Sequence, residues 1–324
     1  MDDLNRYAGV FNGIEPWSGR IPDGFIVDFM GTLTRKDFLA WGHHPAFVDG
    51  AEITLSLPRL KEGQNGEFWF EAADWVMAAR EARDRFVMIT LGALYGYQAV
   101  GSYRTLQRLN PMPAFLVAVA PIPANVEWTR QHFRDNGINP DDHWLIQAAI
   151  SGNSEPAFFP VGAPGAGAQN CIAANEHAAR VGYFEEITAK GNVAEAFRSL
   201  ILHNSTGLTK DVVPGTPFTA EIKLVSCVTL PEVLAPLDHV DFLEVDIQQS
   251  EIAVFPPHMN LLKRKVRRVH LGTHGDDVHA TLHNMFAQNG WEIVFSFKPD
   301  ADHETPLGRF KTNDGILTVL NPNL

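Results

Sequence analysis

Three side chains that can move a proton follow the ends of predicted buried strands. Asp246 ends the apolar run 240–246, Glu251 comes soon after it, and His274 follows the next apolar run, 266–272. Carboxylates and imidazoles are common general acids and bases in enzymes, and an imidazole with a near-neutral pKa suits the role of a base. We therefore take Asp246, His274 and Glu251 as the candidate catalytic residues.

Each of these candidates also has a structural explanation. Asp246 can cap the helix that follows its strand. The negative charge of Glu251 is stabilised in the first turn of a helix in any case. A loop histidine such as His274 can simply bond to the backbone. The residue types leave both interpretations open.

Four histidines raise the question of a metal site. His270 and His274 are four residues apart, and so are His279 and His283. The first pair falls at the end of a strand and the second on a helix, so nothing in the spacing fixes a common centre. We expect no metal.

A glycine-bearing turn follows an earlier apolar run. The run 86–91 ends in Gly92-Ala-Leu-Tyr-Gly96, and a second apolar run covers 115–120. This is the layout of a nucleotide-type cofactor site at the strand ends of a parallel sheet. Such sites usually have an acidic residue at the start of the first turn and another at the end of the second strand. Thr90 and Ala120 occupy those places here.

The alternation of strands and helices predicts a parallel sheet with right-handed crossovers. The predicted strands are 86–92, 114–120, 144–150, 221–230, 240–246, 266–272, 291–297 and 315–320, and the predicted helices are 67–83, 95–109, 123–135, 193–203, 231–237, 250–255 and 276–289. We expect the last two strands to be antiparallel neighbours. Ligands bind beyond the carboxyl ends of parallel strands, where strand order reverses. The turns that carry Gly92, Asp246 and His274 should therefore line one crevice.

Two segments depart from this alternation. Residues 1–66 are rich in glycine, proline and aromatic residues, and we expect an N-terminal extension of short strands and loops packed on a main domain of residues 67–324. Residues 151–220 interrupt the alternation of strands and helices and include the glycine-rich stretch 162–168. A long insertion in a compact domain is commonly a lid or binding loop, although a solvent-exposed excursion explains it too.

Composition narrows the class of protein. The chain has 324 residues, 45% hydrophobic and 20% charged, which is typical of a soluble globular protein. A net charge of −12 argues against nucleic acid as a partner. The basic cluster at 263–268 is best explained as the end of a helix.

Location and redox state also follow from the composition. The cysteines, Cys171 and Cys227, have no metal-type spacing and imply no disulfide framework. The first residues lack a basic leader and an apolar core, and no apolar run reaches the length of a membrane span. We expect no membrane association and a cytoplasmic location.

The order and spacing of several motifs over roughly residues 70–324 resemble the FkbM-type family of S-adenosylmethionine-dependent O-methyltransferases. The stretches that carry the resemblance are Leu91-Gly-Ala-Leu-Tyr-Gly96, Pro121-Ile-Pro-Ala-Asn125, Val225-Ser-Cys-Val-Thr-Leu230, Val240-Asp-Phe-Leu-Glu-Val-Asp-Ile-Gln-Gln-Ser-Glu251, Val269-His-Leu-Gly-Thr-His274 and Asp314-Gly-Ile-Leu-Thr-Val-Leu-Asn-Pro322. The resemblance implies an α/β, Rossmann-like sheet of seven strands, mostly parallel with the last strand antiparallel, flanked by helices.

The resemblance also implies ligands and their positions. S-adenosylmethionine is expected above the first two strands, and a small-molecule or sugar hydroxyl above the fourth and fifth. The implied cofactor-binding residues are Thr90, Gly92, Ala93, Leu94, Tyr95, Gly96, Ala120, Ile122, Gln147 and Ala148. Tyr95 can stack on the cofactor or pack at the start of the helix.

Four positions depart from the family pattern. That pattern has an acid at Thr90, near the methionine part of the cofactor, an acid at Ala120 for both ribose hydroxyls, and glycine at Leu94 and Gln249. A carboxylate that accepts two hydroxyls makes charge-assisted hydrogen bonds worth about 1.5–3 kcal/mol each. Its loss would weaken cofactor binding by about two to four decades.

Two hypotheses follow. The first is a methyltransferase whose pocket compensates through Gln147 or the 151–220 insertion. The second is a catalytically inactive pseudo-methyltransferase that serves as a binding or regulatory subunit, or a fold used for other chemistry. Its partner would be an active homologue in a hetero-oligomer, or a second copy in a homo-oligomer.

Overall fold

The computed structural model describes residues 2–39, 47–161, 171–176, 178–179, 210–212, 219–248 and 250–324. Its strands are β1 (Ser18–Arg20), β2 (Phe25–Val27), β3 (Leu33–Arg35), β4 (Glu52–Thr54), β5 (Phe86–Leu91), β6 (Ala114–Ala120), β7 (Trp144–Gln147), β8 (Ala149–Ile150), β9 (Ala157–Val161), β10 (Lys210–Val212), β11 (Thr219–Val225), β12 (Cys227–Val228), β13 (Val240–Val245), β14 (Val266–Thr273), β15 (Glu292–Phe297), β16 (Ala301–Thr305), β17 (Gly308–Thr312) and β18 (Gly315–Leu320). The α-helices of the described residues are α1 (Glu67–Glu81), α2 (Tyr97–Leu109), α3 (Pro123–Asp135), α4 (Leu230–Leu234), α5 (Glu251–Val254), α6 (Met259–Lys265) and α7 (Asp276–Gln288). The predicted helix over 193–203, the stretch 162–168 and Gln249 lie outside the described residues.

Seven strands form the central sheet in the order β15-β18-β14-β13-β5-β6-β7. β14, β13, β5, β6 and β7 run parallel to one another, and β18 is antiparallel to both of its neighbours, β14 and β15. β5 and β13 are buried at every position, as expected of parallel strands that are covered on both faces. The predicted seven-stranded Rossmann-like sheet is confirmed.

The order of the strands reverses between β5 and β13. From β5 the chain proceeds outward to β6 and β7, whereas from β13 it proceeds the other way to β14. The turns that follow these two strands meet at the reversal, where the backbone N–H of Asp246 donates to the carbonyl of Leu91 at 2.9 Å. An open α/β sheet binds its ligands at such a point.

Helix α1 is tied to the sheet by a buried polar network. Asp74 accepts from Arg268 Nη1 at 3.1 Å, from His270 Nδ1 at 2.8 Å and from Thr318 Oγ1 at 2.6 Å. All four side chains are buried. Buried charges are tolerated only when they are paired and hydrogen-bonded, so this network fixes α1 over β14 and β18.

The N-terminal end of α1 has its own anchor. Glu67 Oε1 accepts from the backbone N–H groups of Asn313 and Asp314, both at 2.8 Å. These residues lie in the turn that leads into β18. The first turn of α1 is thereby held beside the carboxyl-end edge of the sheet.

Residues 2–39 contact helix α3 and its C-terminal turn. The N–H of Leu33 donates to Asn136 Oδ1 at 2.8 Å, and Arg35 forms an ion pair with Asp135 at 2.6 Å. The short strands β1 to β4 pair only in two-stranded sheets, β1 with β4 and β2 with β3.

Several predicted elements differ in detail. The predicted strand 144–150 is broken, because the N–H of Ala148 turns back to the carbonyl of Ile146 at 3.1 Å. β8 then pairs with β12 outside the central sheet. The predicted strand 221–230 is also wrong as one element, since β11 joins β9 and β10 in a separate antiparallel sheet. The hairpin of β16 and β17 was not predicted.

Three residues of the basic cluster, Lys263, Arg264 and Lys265, lie in the last turn of a helix as predicted, whereas Arg267 and Arg268 belong to β14. Helix α6 ends at Lys265, whose ammonium donates to the carbonyls of Leu234 at 2.9 Å and Ala235 at 3.1 Å. These carbonyls end helix α4, so Lys265 caps a neighbouring helix. In the described residues, no helix has both the length and the apolar character that a bilayer crossing requires.

Candidate active site

A cavity of about 540 Å³ lies where the strand order reverses. Its walls come from the turn after β5, the end of β6, the start of α3, and the turn after β13. Five of the predicted cofactor residues line it: Gly92, Leu94, Ala120, Ile122 and Ala148.

The other predicted cofactor residues do not line this cavity. Thr90 is buried and bonded to a neighbouring strand, while Ala93 and Gly96 belong to the turn itself. Tyr95 packs on the rings of Phe38 and His132, so the packing alternative holds. Gln147 is exposed at the end of β7 and is not part of the cavity lining.

The turn after β5 shows why one of its residues must be glycine. Gly92 has φ +88°, and a Cβ built on it would lie 1.8 Å from the carbonyl oxygen of Asp246. Leu94 also has a positive φ, +47°, in a region that costs an L-residue about 1–2 kcal/mol. Its side chain forms part of the cavity wall, at a position where the family pattern has glycine.

The wall formed by the end of β6 and the start of α3 has an amide but no carboxylate. Ala120 contributes only a methyl group at the end of β6. Asn125, in the first turn of α3, is 5% exposed and lines the cavity. Its amide can both donate to and accept from a hydroxyl.

The three candidate catalytic residues converge. His274 Nδ1 donates to Glu251 Oε1 at 2.8 Å, and His274 Nε2 lies 3.3 Å from Asp246 Oδ1. Nε2 is also 3.7 Å from Asp314 Oδ1. Glu251 is completely buried, whereas the side chain of Asp246 is 42% exposed. Of the three, Asp246 is therefore the one most open to a ligand.

The histidine is not a near-neutral base. Burial alone lowers the pKa of His274, but the negative charges of Asp246 and Glu251 and the hydrogen bond to Glu251 outweigh it and raise the pKa to about 10. The expectation of a near-neutral pKa was wrong because it considered the imidazole without its two carboxylates. At neutral pH His274 is an imidazolium, and Asp246 is left as the group that can accept a proton.

The structure also tests the structural explanations for Asp246 and Glu251. Ser250 precedes the first residue of α5, so Asp246 does not cap that helix. Asp246 instead accepts from Gln248 Nε2 at 2.9 Å. Glu251 does lie in the first turn of α5, but its carboxylate turns inward to His274.

The histidine pairs do not share a centre. His270 is bonded to Asp74 under α1, whereas His279 Nε2 and His283 Nδ1 both contact the hydroxyl of Ser296, at 3.0 and 2.8 Å. In the part of the chain that the structure describes, no group of three or more His, Cys, Asp or Glu side chains is arranged to hold a metal ion.

Comparison with known proteins decides the family. A family model described as the methyltransferase FkbM domain matches residues 92–300, which is more than half of the chain. The chain belongs to the FkbM methyltransferase family. A protein of Jannaschia sp. (strain CCS1) named "Putative methyltransferase" is 21% identical over 276 residues, 83% of each chain.

Two solved structures show weaker similarity to this FkbM-family chain. The methyltransferase FkbM from Methylobacillus flagellatus KT is 11% identical, with a TM-score of 0.39 over 81% of this chain and 56% of that one. The O-methyltransferase from Bacillus cereus, in complex with SAH, is 8% identical, with a TM-score of 0.36 over 78% of this chain and 80% of that one.

One carboxylate of this FkbM-family chain was missing from the sequence candidates. Glu244 on β13 pairs in register with Thr90 on β5 and His270 on β14, and its carboxylate accepts the Thr90 hydroxyl hydrogen bond. The signal was an acid inside an apolar strand, on the same face as Asp246 two residues later. Buried acids are rare without a partner or a role.

Proposed function

We propose that this FkbM-family chain is an S-adenosylmethionine-dependent O-methyltransferase that acts on a hydroxyl group of a small molecule or sugar. The observation that carries the proposal is the position of Asp246. This residue lines the cavity at the strand reversal and also faces the His274 and Glu251 pair. A nucleoside cofactor on one side of Asp246 and an acceptor on the other would meet at its carboxylate.

The residues of the cavity fit the cofactor, with a weakened grip. Ile122, Ile150 and Phe159 form apolar walls suited to a flat purine, and Asn125 offers an amide to the ribose hydroxyls. An amide makes neutral hydrogen bonds, which contribute roughly 0.5–1.5 kcal/mol each, about half as much as bonds to a carboxylate. Part of the loss at Ala120 is thereby recovered. When bound, S-adenosylmethionine supplies an electrophilic methyl group.

The acid–base work falls to Asp246. Its carboxylate would accept a hydrogen bond from the acceptor hydroxyl and take the proton of that hydroxyl when the bound cofactor supplies its methyl group. His274, an imidazolium between Asp246 and Glu251, fixes the orientation of the Asp246 carboxylate. His274 is thus a positioning residue and not the base.

A second candidate is a pseudo-methyltransferase that binds a partner without catalysis. Two observations favour it. Ala120 contributes no carboxylate to the cavity, and Leu94, whose φ is positive, adds a bulky side chain to the cavity wall. Under this proposal the partner is an active homologue in a hetero-oligomer or a second copy of the chain.

The Asp246→Asn variant distinguishes an active methyltransferase from a pseudo-methyltransferase. The substitution keeps the size of the side chain and its hydrogen bond with Gln248 but removes the proton acceptor. Transfer of a labelled methyl group from S-adenosylmethionine to a panel of sugars and small hydroxyl compounds should be measured for both proteins. A general base typically contributes 10²–10⁴-fold, so we expect a loss of that size in the variant. Wild-type protein that binds no cofactor and labels no acceptor favours the second candidate.

A further inference from the structure

The turn after β5, residues 92–96, has a backbone that depends on its neighbours. Gly92, Leu94 and Gly96 have φ angles of +88°, +47° and +77°. Leu94 lacks the conformational freedom of glycine, and its side chain lines the cavity at the strand reversal. A residue keeps such a sparsely populated conformation only where the surrounding structure determines it. The residues packed around this turn therefore determine the shape of one cavity wall.

Helix α3 holds the turn from one side. His132 Nδ1 donates to the carbonyl of Tyr95 at 3.0 Å. The hydroxyl of Thr129 lies 2.9 Å from the carbonyl of Asn125 in its own helix and 3.4 Å from that of Leu94, so its hydrogen is shared unequally and favours Asn125. The bond from His132 is thus the shorter of the two side-chain hydrogen bonds from α3 to the turn.

The N-terminal extension contacts the same imidazole. The hydroxyl of Thr34 on β3 lies 3.2 Å from Nε2 of His132, and both side chains are buried. Burial lowers the pKa of His132 to about 4, so the ring is neutral and carries one N–H. Because the carbonyl of Tyr95 can only accept, this hydrogen is on Nδ1, and Nε2 accepts from the Thr34 hydroxyl. Two hydrogen bonds of fixed direction therefore connect the extension to the turn.

An aromatic cluster lies beside these hydrogen bonds. Phe38 is buried and stacks on Trp128 of α3, with ring centroids 4.9 Å apart. Its ring also contacts the rings of Tyr95 at 5.6 Å and His132 at 5.9 Å. Phe38 thus packs on the turn and on the helix that holds the turn.

The extension is itself fixed to α3 on both sides of Thr34. The N–H and the carbonyl of Leu33 bond to the amide of Asn136, both at 2.8 Å, and Arg35 makes two hydrogen bonds to Asp135, at 2.6 and 2.9 Å. In the described structure none of residues 33–38 lines the cavity. Their influence on a ligand there is therefore exerted through the turn.

We propose that Thr34 and Phe38 of the N-terminal extension, acting through His132, are positioning residues of the cofactor turn 92–96. They hold the carbonyl of Tyr95, and with it the neighbouring Leu94, in the conformation that forms the cavity wall. The inference rests on the proposed function, since it assigns the extension to the binding of the nucleoside cofactor. Loss of these contacts weakens binding, because part of the binding free energy is then used to order the turn.

Calorimetric titration of the full chain with S-adenosylhomocysteine, combined with chemical denaturation, tests the proposal. Thr34→Val removes the hydroxyl but keeps the shape of the side chain, and Thr34→Ser retains the hydroxyl. We expect Thr34→Val to bind about two- to tenfold more weakly than wild type, the size of one neutral hydrogen bond, and Thr34→Ser to bind more tightly than Thr34→Val.

Thr32→Val is the matched control. Thr32 is also buried in the extension, but its hydroxyl makes no hydrogen bond to α3 or to the turn. We expect this variant to bind S-adenosylhomocysteine as wild type does. The comparison separates the loss of a buried hydroxyl from the loss of the contact with His132.

His132→Asn and His132→Leu form a second pair of nearly equal size. The amide nitrogen of asparagine can take the place of Nδ1 and donate to Tyr95, whereas leucine has no donor. Both variants lose the ring contact with Phe38. We expect His132→Leu to bind about two- to tenfold more weakly than His132→Asn. If either variant fails to fold, the Thr34 variants decide.

Amide hydrogen exchange tests the contact without any ligand. We expect residues 92–96 to exchange faster in Thr34→Val than in wild type and in Thr32→Val, because the turn opens locally when its support is removed. Exchange over β14 (Val266–Thr273) should be the same in all three proteins, which excludes a general loss of stability as the cause.

Two results overturn the proposal: a Thr34→Val variant that binds as tightly as wild type, or equal exchange of residues 92–96 in Thr34→Val and Thr32→Val. A loss of stability alone would make Thr34 a packing residue. Failure of wild type to bind S-adenosylhomocysteine contradicts the proposed function instead, and the exchange comparison then decides the positioning role by itself.

Discussion

The hydroxyl of Thr90 donates a hydrogen bond to the carboxylate of Glu244 on the neighbouring strand. Thr90 occupies a position where the family pattern has an acid, and Glu244 faces the same side of the sheet. The carboxyl group beside Thr90 is therefore supplied by the neighbouring strand, and burial raises its pKa well above the usual value. At Ala120, by contrast, the cavity has no carboxylate, and the nearby polar group in the lining is the amide of Asn125.

Restoration of the ribose acid should strengthen cofactor binding. We expect Ala120→Glu combined with Leu94→Gly to increase the affinity for S-adenosylhomocysteine by about two to four decades, the worth of two charge-assisted hydrogen bonds. Leu94→Gly also relieves a left-handed backbone and opens the wall. Titration calorimetry measures the change. Ala120→Gln with Leu94→Gly is the neutral control, and equal affinities for the two double variants would contradict the role of the charge.

Two glycines at the strand ends should respond differently to alanine. A Cβ on Gly92 meets the carbonyl oxygen of Asp246 at 1.8 Å, whereas a Cβ on Gly272 meets nothing closer than 3.8 Å. We expect Gly92→Ala to cost more than about 2 kcal/mol of unfolding free energy, and Gly272→Ala less than about 1 kcal/mol. Chemical denaturation measures both. Similar costs would contradict the close contact of the two turns.

The sequence predicted the strands correctly where all residues of a strand are buried. The runs that became β5 and β13 are apolar because both faces are covered, and glycine turns mark their ends. The β16–β17 hairpin was missed because its strands are mostly polar, and none of the residues Ala301–Thr305 is buried. No apolar period distinguishes such a hairpin from a loop.

The site was only partly predictable, because its chemistry depends on register. Asp246, Glu251 and His274 were found from their places after strands. The pKa of His274 and the role of Glu244 depend on contacts with other strands and turns, and Thr90 and Glu244 are 154 residues apart. A single sequence does not give such pairings.

The proton on His274 should stabilise the fold in a defined pH range. Its folded pKa of about 10 exceeds the ordinary value of 6.5, so the contribution is complete below about pH 6.5 and is lost as the pH rises through 10. We expect His274→Gln to cost about 3–5 kcal/mol near pH 6, because it leaves Glu251 buried without its partner, and less as the pH increases. Denaturation from pH 6 upward measures this.

His279→Gln is the control with the opposite sign. Burial lowers the pKa of His279 to about 4, so its contribution is complete above about pH 6.5 and is lost as the pH falls through 4. The cost of His279→Gln should therefore shrink toward acid. A cost of His274→Gln that grows with pH would contradict the assignment of an imidazolium.

The most direct test of the central claim, that the cavity at the strand reversal binds S-adenosylmethionine, is a calorimetric titration of the wild-type chain with S-adenosylhomocysteine up to millimolar concentrations. We predict saturable one-to-one binding, weaker than in a site with both acids, that Leu94→Gly strengthens. Absence of binding at every concentration, in wild type and in the Ala120→Glu, Leu94→Gly variant alike, would contradict it.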